Sequence, residues 1–400
     1  MWKEITIKKN TQNKNSADPK PRKILILYTS AGSGHKAATM ALKTAWEEQC
    51  PQDEIIIKDI LTYTSGIFSF IYSRGYMTLV GKLPFLWRVF YYKDEEVAKF
   101  KPPNKFGWFI RWLALGKFVR KMKAMRPDII ISTHFFCSDG VVILKRRNYF
   151  DFKFAIITTD YGLHSAWLAP GTDQYFVPLP SMKAELLTIK DYLGVEEENI
   201  EVTGIPISPK FIDLPPKDEL RRKFNLKPGI FTILLFRNVF TDSNFDLFIK
   251  YLIQVGHPLQ LIMLAGREWP IPDKLKKTFI ENNINYRIFG YIDFMEELMR
   301  LSDLVVSKTG GLTTSECLAA GAPMGIYSPY PGQEERNAEF LMEKGAGFKI
   351  TQLASLHYHI AQMIENPDII KNMSEAAKRI SNPTAAYKIV KRLNEMGVAK

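Results

Sequence analysis

The sequence predicts an α/β protein built from two doubly wound, parallel-sheet domains that face each other across a cleft. Three observations carry that expectation. Short apolar runs alternate with helix-period segments along most of the 400 residues, the pattern of βαβ units rather than of hairpins. The runs are apolar throughout, as strands covered on both faces require. A stretch punctuated by Pro206, Pro209, Pro215 and Pro216 divides the series into two halves of similar size.

Residues 1–21 are polar and basic, lack the apolar centre of a signal peptide and read as a disordered arm. The first domain runs over 22–205, with strands expected at 23–28, 54–58, 128–133, 153–158, 174–177 and 200–203. After the first strand, Gly32-Ser33-Gly34-His35 opens a helix whose apolar positions are Ala38, Leu42, Ala45 and Trp46. Residues 206–229 form a linker. The second domain, 230–380, repeats the alternation with strands at 230–236, 259–264, 285–289, 303–307 and 323–327. Residues 381–400 hold a final helix, about 383–397, that could return to the first domain.

The net charge of +12 is unevenly placed: residues 62–126 hold 13 Lys/Arg against three acids. The same segment carries 16 of the 50 aromatic residues, Trp87, Trp108 and Trp112 among them. Rings, aliphatics and cations interleaved in this way suit an anionic phospholipid membrane, and they also suit a basic helical subdomain with an aromatic core. RNA-binding patterns do not appear, so no nucleic-acid partner is expected. Cys50, Cys137 and Cys317 lack C-x-x-C spacing, which disfavours disulfides and zinc and suits a reducing compartment. No apolar run reaches the roughly 18 residues of a spanning helix. These features together predict a cytoplasmic protein, peripheral on the inner face of the membrane, with no metal and no cofactor.

The first glycine turn has three readings. Gly32, Gly34 and Ala37 fit a dinucleotide fingerprint with Asp59 as ribose ligand. Alternatively, the glycines turn the chain so that His35 sits at a helix N-terminus, where it stays neutral and basic. In the third reading, His35 is structural.

The second domain is more informative. In DLVVSKTGGLTTSECLAAGAP (303–323) a strand, a glycine turn and a helix start follow in one run. Free N–H groups there, with the Thr313 and Thr314 hydroxyls, make an anion site suited to a diphosphate. Glu316 lies one turn on, where a carboxylate can accept two hydrogen bonds from a ribose diol. Gln333, Glu334 and Glu335 stand at another loop-to-helix start and suit a hydroxyl-rich ligand such as a hexose.

KTGGLTTSECLAAGAP followed by PGQEERNAEFL resembles the nucleotide-sugar motif of the glycosyltransferases that make monogalactosyl- and glucosyl-diacylglycerol, relatives of the glucosaminyltransferase that forms lipid II. The glycine loop ending in His35, TDYGLHSAW (159–167) and TGIPISPKF (203–211) agree with it, so the resemblance spans roughly 22–380. It implies a GT-B fold and a UDP-sugar donor held by the second domain. Ile292 would meet the uracil through its backbone and Glu316 the ribose. Gly310, Gly311, Leu312 and Thr313 would surround the diphosphate, with Gln333 and Glu334 at the sugar. Gly32, Gly34 and His35 would face a diacylglycerol acceptor.

An inverting transfer from UDP-glucose or UDP-galactose then needs a general base. His35 and Asp160 are the candidates, with His164 as a third. Asp160 could instead cap a turn, and Trp167 either lines the acceptor path or fills the core. Two departures from the family pattern stand out. LLFRNVFTDSN (234–244) has no glycine where a glycine-rich turn is usual, which leaves Arg237 as a substitute diphosphate partner. The usual K-P-G-G is K-T-G-G. Three other readings remain open: transfer to a polyprenyl lipid, a UDP-sugar epimerase, and a non-catalytic sensor of UDP-sugar or lipid.

Overall fold

The computed structural model describes residues 21–30, 33–64, 85, 105–266 and 272–397. Two six-stranded sheets, parallel throughout, form its frame. The first contains β1 (Lys23–Tyr28), β2 (Glu54–Asp59), β3 (Ile129–Ser132), β4 (Lys153–Ile157), β5 (Gln174–Val177) and β6 (Ile200–Val202), in the order β2-β1-β3-β4-β5-β6. The second contains β7 (Phe231–Phe236), β8 (Leu259–Leu264), β9 (Asn285–Phe289), β10 (Leu304–Ser307), β11 (Met324–Ile326) and β12 (Gly347–Lys349), ordered β12-β11-β10-β7-β8-β9. The eleven strands expected from the apolar runs all form. β12 was not expected, because three residues of an exposed edge, Gly-Phe-Lys, carry no apolar run.

Each sheet reverses its order once, between β1 and β3 and between β10 and β7, and such a switch leaves a crevice at the carboxyl ends of the strands. The opposite ends are tied by aspartates. Asp128, Asp173 and Asp303 each precede a strand and accept an N–H from the first or second residue of its neighbour, from Lys23, Phe154 and Thr232 at 2.7–2.8 Å. An orphan donor at each strand start is thereby satisfied.

The helices that bear on the site are α1 (Ser33–Gln49), α2 (Lys105–Met125), α3 (Phe135–Arg147), α4 (Gly311–Ala320), α5 (Gln333–Glu343) and α6 (Ala385–Glu395). Trp46 of α1 is fully buried, and its indole donates to Asp53 at 2.9 Å. On α2, Leu115, Phe118, Val119 and Met122 face the core, while Lys117, Arg120, Lys121 and Lys123 are exposed. Phe118 packs where a Cβ on Gly140 would fall 2.8 Å from its ring, so the close approach of α2 and α3 depends on that glycine. The basic segment's Trp87, the side chains of Trp108 and Trp112, and residues 1–20 of the arm lie outside the described residues.

The proline-rich stretch is not a loose tether. Ile205, Ile207, Phe211, Leu220 and Leu226 enter the second core, and Arg221 pairs with Asp303 at 2.6 Å. Beyond the second sheet, α6 crosses to the first, where Ala386, Ile389, Val390 and Leu393 share a core with Trp46 and Phe176.

Candidate active site between the two sheets

His35 stands in the first turn of α1, above the β1/β3 switch. Its Nδ1 lies 2.9 Å from the Thr133 carbonyl oxygen and 3.2 Å from Thr159 Oγ1, joining the ends of β3 and β4. A carbonyl can only accept, so the neutral ring carries its proton on Nδ1 and keeps the lone pair on Nε2. Desolvation lowers the pKa of the ring to about 4 against the raising effect of the Thr133 bond, so His35 is neutral at physiological pH. Thr39 fixes the turn by donating to the His35 carbonyl at 2.9 Å and meeting Thr133 Oγ1 at 3.1 Å. His134 packs edge-on to the His35 ring, 4.4 Å between centroids. It caps α3 by accepting from Phe136 N–H at 3.1 Å, and burial, then the His35 ring, drives its pKa well down. His134 was missed by the motif reading, although its place just past a strand end marks it.

Across the cleft, α4 begins at the β10 end of the other switch. A Cβ on Gly311 would lie 1.8 Å from the Thr159 carbonyl oxygen, so glycine is what lets the two sheets' loops touch. Gly34 faces Leu312, with a Cβ position 3.7 Å from its side chain. Gly310 meets no such constraint: nothing lies within 4 Å of its Cβ position. The first-turn N–H groups of α4 have no intrahelical acceptors and converge on this junction.

The TDYGL loop is latched to the second domain. Asn337 of α5, another residue the motifs did not reveal, donates to Asp160 Oδ1 at 3.1 Å and to the Thr309 carbonyl at 2.8 Å, while its Oδ1 accepts from Tyr161 N–H at 2.7 Å. Tyr161 stacks on Phe340 at 4.3 Å, and its hydroxyl meets Ser315 Oγ at 2.9 Å. Arg336 donates to the Leu163 carbonyl at 2.7 Å. Burial, helped by the charge of Glu334 and opposed by the Asn337 bond, raises the Asp160 pKa to about 7.

On the second domain's side, Thr309 donates through its hydroxyl to the Glu334 carbonyl at 2.5 Å, a bond that proline at this position could not make. Glu334 also accepts from Tyr330 N–H at 2.7 Å, which ties its loop into a fixed shape, and Gln333 is half-buried beside it. Ile292 packs partly buried against the second core. Thr313 is half-buried, whereas Thr314 is fully buried and its hydroxyl meets no hydrogen-bond partner. Burial, then the charge of Glu296, raises the Glu316 pKa to about 8. The carboxyl is thus mostly neutral near pH 7 and offers a diol a donor as well as an acceptor, not the two acceptors of a carboxylate.

Several expectations change. Arg237 is not a diphosphate partner: it is buried, donates to the Phe240 carbonyl at 2.9 Å, pairs with Asp242 and lies over the Phe245 ring at 4.5 Å. It braces the glycine-free turn from within. Trp167 is 2% exposed and packs edge-on to Phe135, so it fills the core. His164 caps a short turn, its Nδ1 accepting from Ala166 N–H at 3.1 Å. Asp59 caps the turn after β2 by accepting from Leu61 N–H at 3.0 Å, which removes it from a ribose role. Gly32 lies outside the described residues.

The two raised carboxyls predict a falling stability on the alkaline side. Asp160 and Glu316 ordinarily titrate at 3.8 and 4.5, so the folded state holds their protons more tightly, and that stabilisation disappears as pH rises through about 7 and 8. His35 and His134 act in the opposite sense, but only below their ordinary 6.5. Between about pH 6.5 and 8.5 the unfolding free energy is expected to drop by about 3 kcal/mol. Glu316→Gln should remove the larger share of that slope in denaturant titrations, because its pKa lies deeper in this window than that of Asp160. A flat profile in the wild type would mean that both carboxyls titrate normally.

Two family models match in succession: Monogalactosyldiacylglycerol (MGDG) synthase over residues 35–207 and the Glycosyltransferase family 28 C-terminal domain over 234–393. A processive diacylglycerol beta-glucosyltransferase of Staphylococcus carnosus is 29% identical over 375 residues, covering 93% of this chain and 92% of its own. Among solved structures, MurG of Acinetobacter baumannii superposes with a TM-score of 0.62 at 15% identity, over 94% of this chain and 100% of that one. The glycosyltransferase SnogD from Streptomyces nogalater does so at 0.57 and 15%, over 94% and 100%. The architecture is GT-B. With one family model on each half and a relative matched along nearly the whole length, the chain is similar throughout to the diacylglycerol glycosyltransferases.

Proposed function

We propose that this protein is an inverting glycosyltransferase that moves a hexose, glucose or galactose, from a UDP-sugar to the primary hydroxyl of diacylglycerol at a membrane surface. The observation that carries the reading is the state of His35, neutral and protonated on Nδ1 where the start of α4 meets the β4 loop. In the reaction, Nε2 takes the hydroxyl proton as the oxygen attacks C1 of the sugar. The bond from C1 to the diphosphate oxygen breaks, and UDP leaves with the electron pair. The first-turn N–H groups of α4 stabilise the charge that grows on the diphosphate. Ile292 and Glu316 hold the nucleoside, and Gln333 and Glu334 the sugar.

Purified protein with labelled UDP-glucose or UDP-galactose and diacylglycerol vesicles tests the reading. Labelled monohexosyl-diacylglycerol of inverted anomeric configuration is the expected product. Label appearing only in a polyprenyl lipid, or only as an epimerised nucleotide sugar, would overturn it.

Among the described residues no helix is long and apolar enough to cross a membrane, so we assign the contact with lipid to surface residues. The exposed cations of α2 provide it, alternating with residues that anchor the helix to the core. Replacing Lys117, Lys121 and Lys123 by Glu should release the protein from phosphatidylglycerol vesicles. Wild-type binding should weaken with salt, because exposed charges are screened over about 8–10 Å. Equal co-sedimentation with phosphatidylcholine vesicles would sink this part of the proposal.

A further inference from the structure

A groove of about 710 Å³ opens at the amino-terminal ends of β4, β5 and β6, the end of the first sheet away from the active site. Lys145 and Arg146 from the end of α3, Lys153 from the start of β4 and Arg392 from α6 line it. Asp173 is the acid of that lining, and it takes Lys145 at 2.6 Å and Lys153 at 3.8 Å. Arg392 in turn pairs with Glu201 at 3.6 Å; four cations against these two carboxylates still leave a net positive concavity, and low-dielectric walls concentrate such a field.

The same wall holds Gln174. Its side chain is fully buried, and neither its Nε2 nor its Oε1 meets a hydrogen-bond partner. A buried, unsatisfied amide is costly and is usually paired with protein or water. Along β5 the side chains alternate, so Gln174 shares a sheet face with Phe176, the face covered by α6. The amide therefore sits between the cationic strand ends and the returning helix.

We propose that this groove binds a phosphate monoester or diester. Lysine and arginine side chains supply charge-assisted hydrogen bonds to phosphate oxygens, and the Gln174 amide supplies a neutral donor. An occupant would bridge α3, the strand ends and α6, and so fasten the crossing helix to the first sheet. The site is separate from the one that transfers sugar.

Calorimetry and thermal melts of the full chain with inorganic phosphate test the proposal. Saturable binding and a melting temperature that rises with phosphate are expected, since a ligand of the folded state stabilises it by mass action. Lys153→Glu and Gln174→Leu should each weaken binding about tenfold or more, the loss of one charge-assisted or buried hydrogen bond. Gln174→Leu should fold at least as well as wild type without phosphate, because it removes an unsatisfied amide. The source of the phosphate follows from flotation on vesicles of phosphatidylglycerol and phosphatidylcholine. If Lys153→Glu weakens flotation at constant ionic strength, the ligand is a lipid headgroup; if flotation is unchanged while phosphate binding is lost, it is a soluble phosphate compound. Absence of saturable phosphate binding by the wild type, or unchanged affinity in both variants, overturns the proposal.

Discussion

His35→Ala is expected to lower kcat by about 10²–10⁴-fold, the usual worth of a general base, and to leave UDP affinity essentially unchanged. The imidazole is oriented by hydrogen bonds to Thr133 and Thr159 of the first domain, whereas the proposed nucleotide contacts lie in the second. The pH dependence separates it from its rival. With a free-enzyme pKa of about 4, His35 as base leaves kcat/KM flat above about pH 5, whereas Asp160 as base would make it climb through about 7. A bound diphosphate brings negative charge near the ring and raises its pKa. The acid limb of kcat should therefore lie at higher pH than that of kcat/KM. A structural histidine would lower the melting temperature and spare the turnover of the folded fraction. Full activity in His35→Ala, with Asp160→Asn inactive, would transfer the role to Asp160.

What the sequence made legible follows from what is written locally. Strands buried on both faces announce themselves as apolar runs, and the turn after β10 is a local word of glycines and hydroxyls, so both could be read in one dimension. The sites of difficulty are long-range. Asn337 matters because it reaches the Asp160 carboxyl and the Thr309 carbonyl, 177 and 28 residues away in sequence. Trp167 and Arg237 belong to residue types that serve cores and sites alike, and only the packing around Phe135 and Phe245 decided between them. The charge of Glu316 was unreadable for the same reason, since burial and the neighbouring Glu296 set it. β12 formed because β11 offered an edge to pair with, not because of its own composition.

Gly311→Ala is expected to uncouple the two domains and cost about 10²-fold or more in kcat/KM, the scale of a 1 Å misplacement of reacting groups. The added methyl would lie 1.8 Å from the Thr159 carbonyl oxygen and 2.9 Å from its carbon. Both contacts are backbone, so no side chain can swing aside, and the loops must part by roughly 1–1.5 Å to restore ordinary van der Waals separation. That displacement would stretch the Asn337–Asp160, Tyr161–Ser315 and Arg336–Leu163 bonds together, because all three cross the same seam. UDP binding should persist, since the proposed nucleotide contacts lie within the second domain. Small-angle scattering should show a more open particle, and Gly310→Ala, whose Cβ meets nothing within 4 Å, should keep the wild-type dimensions. An equally compact and equally active Gly311→Ala would mean that the contact between α4 and the β4 loop is no part of the working enzyme.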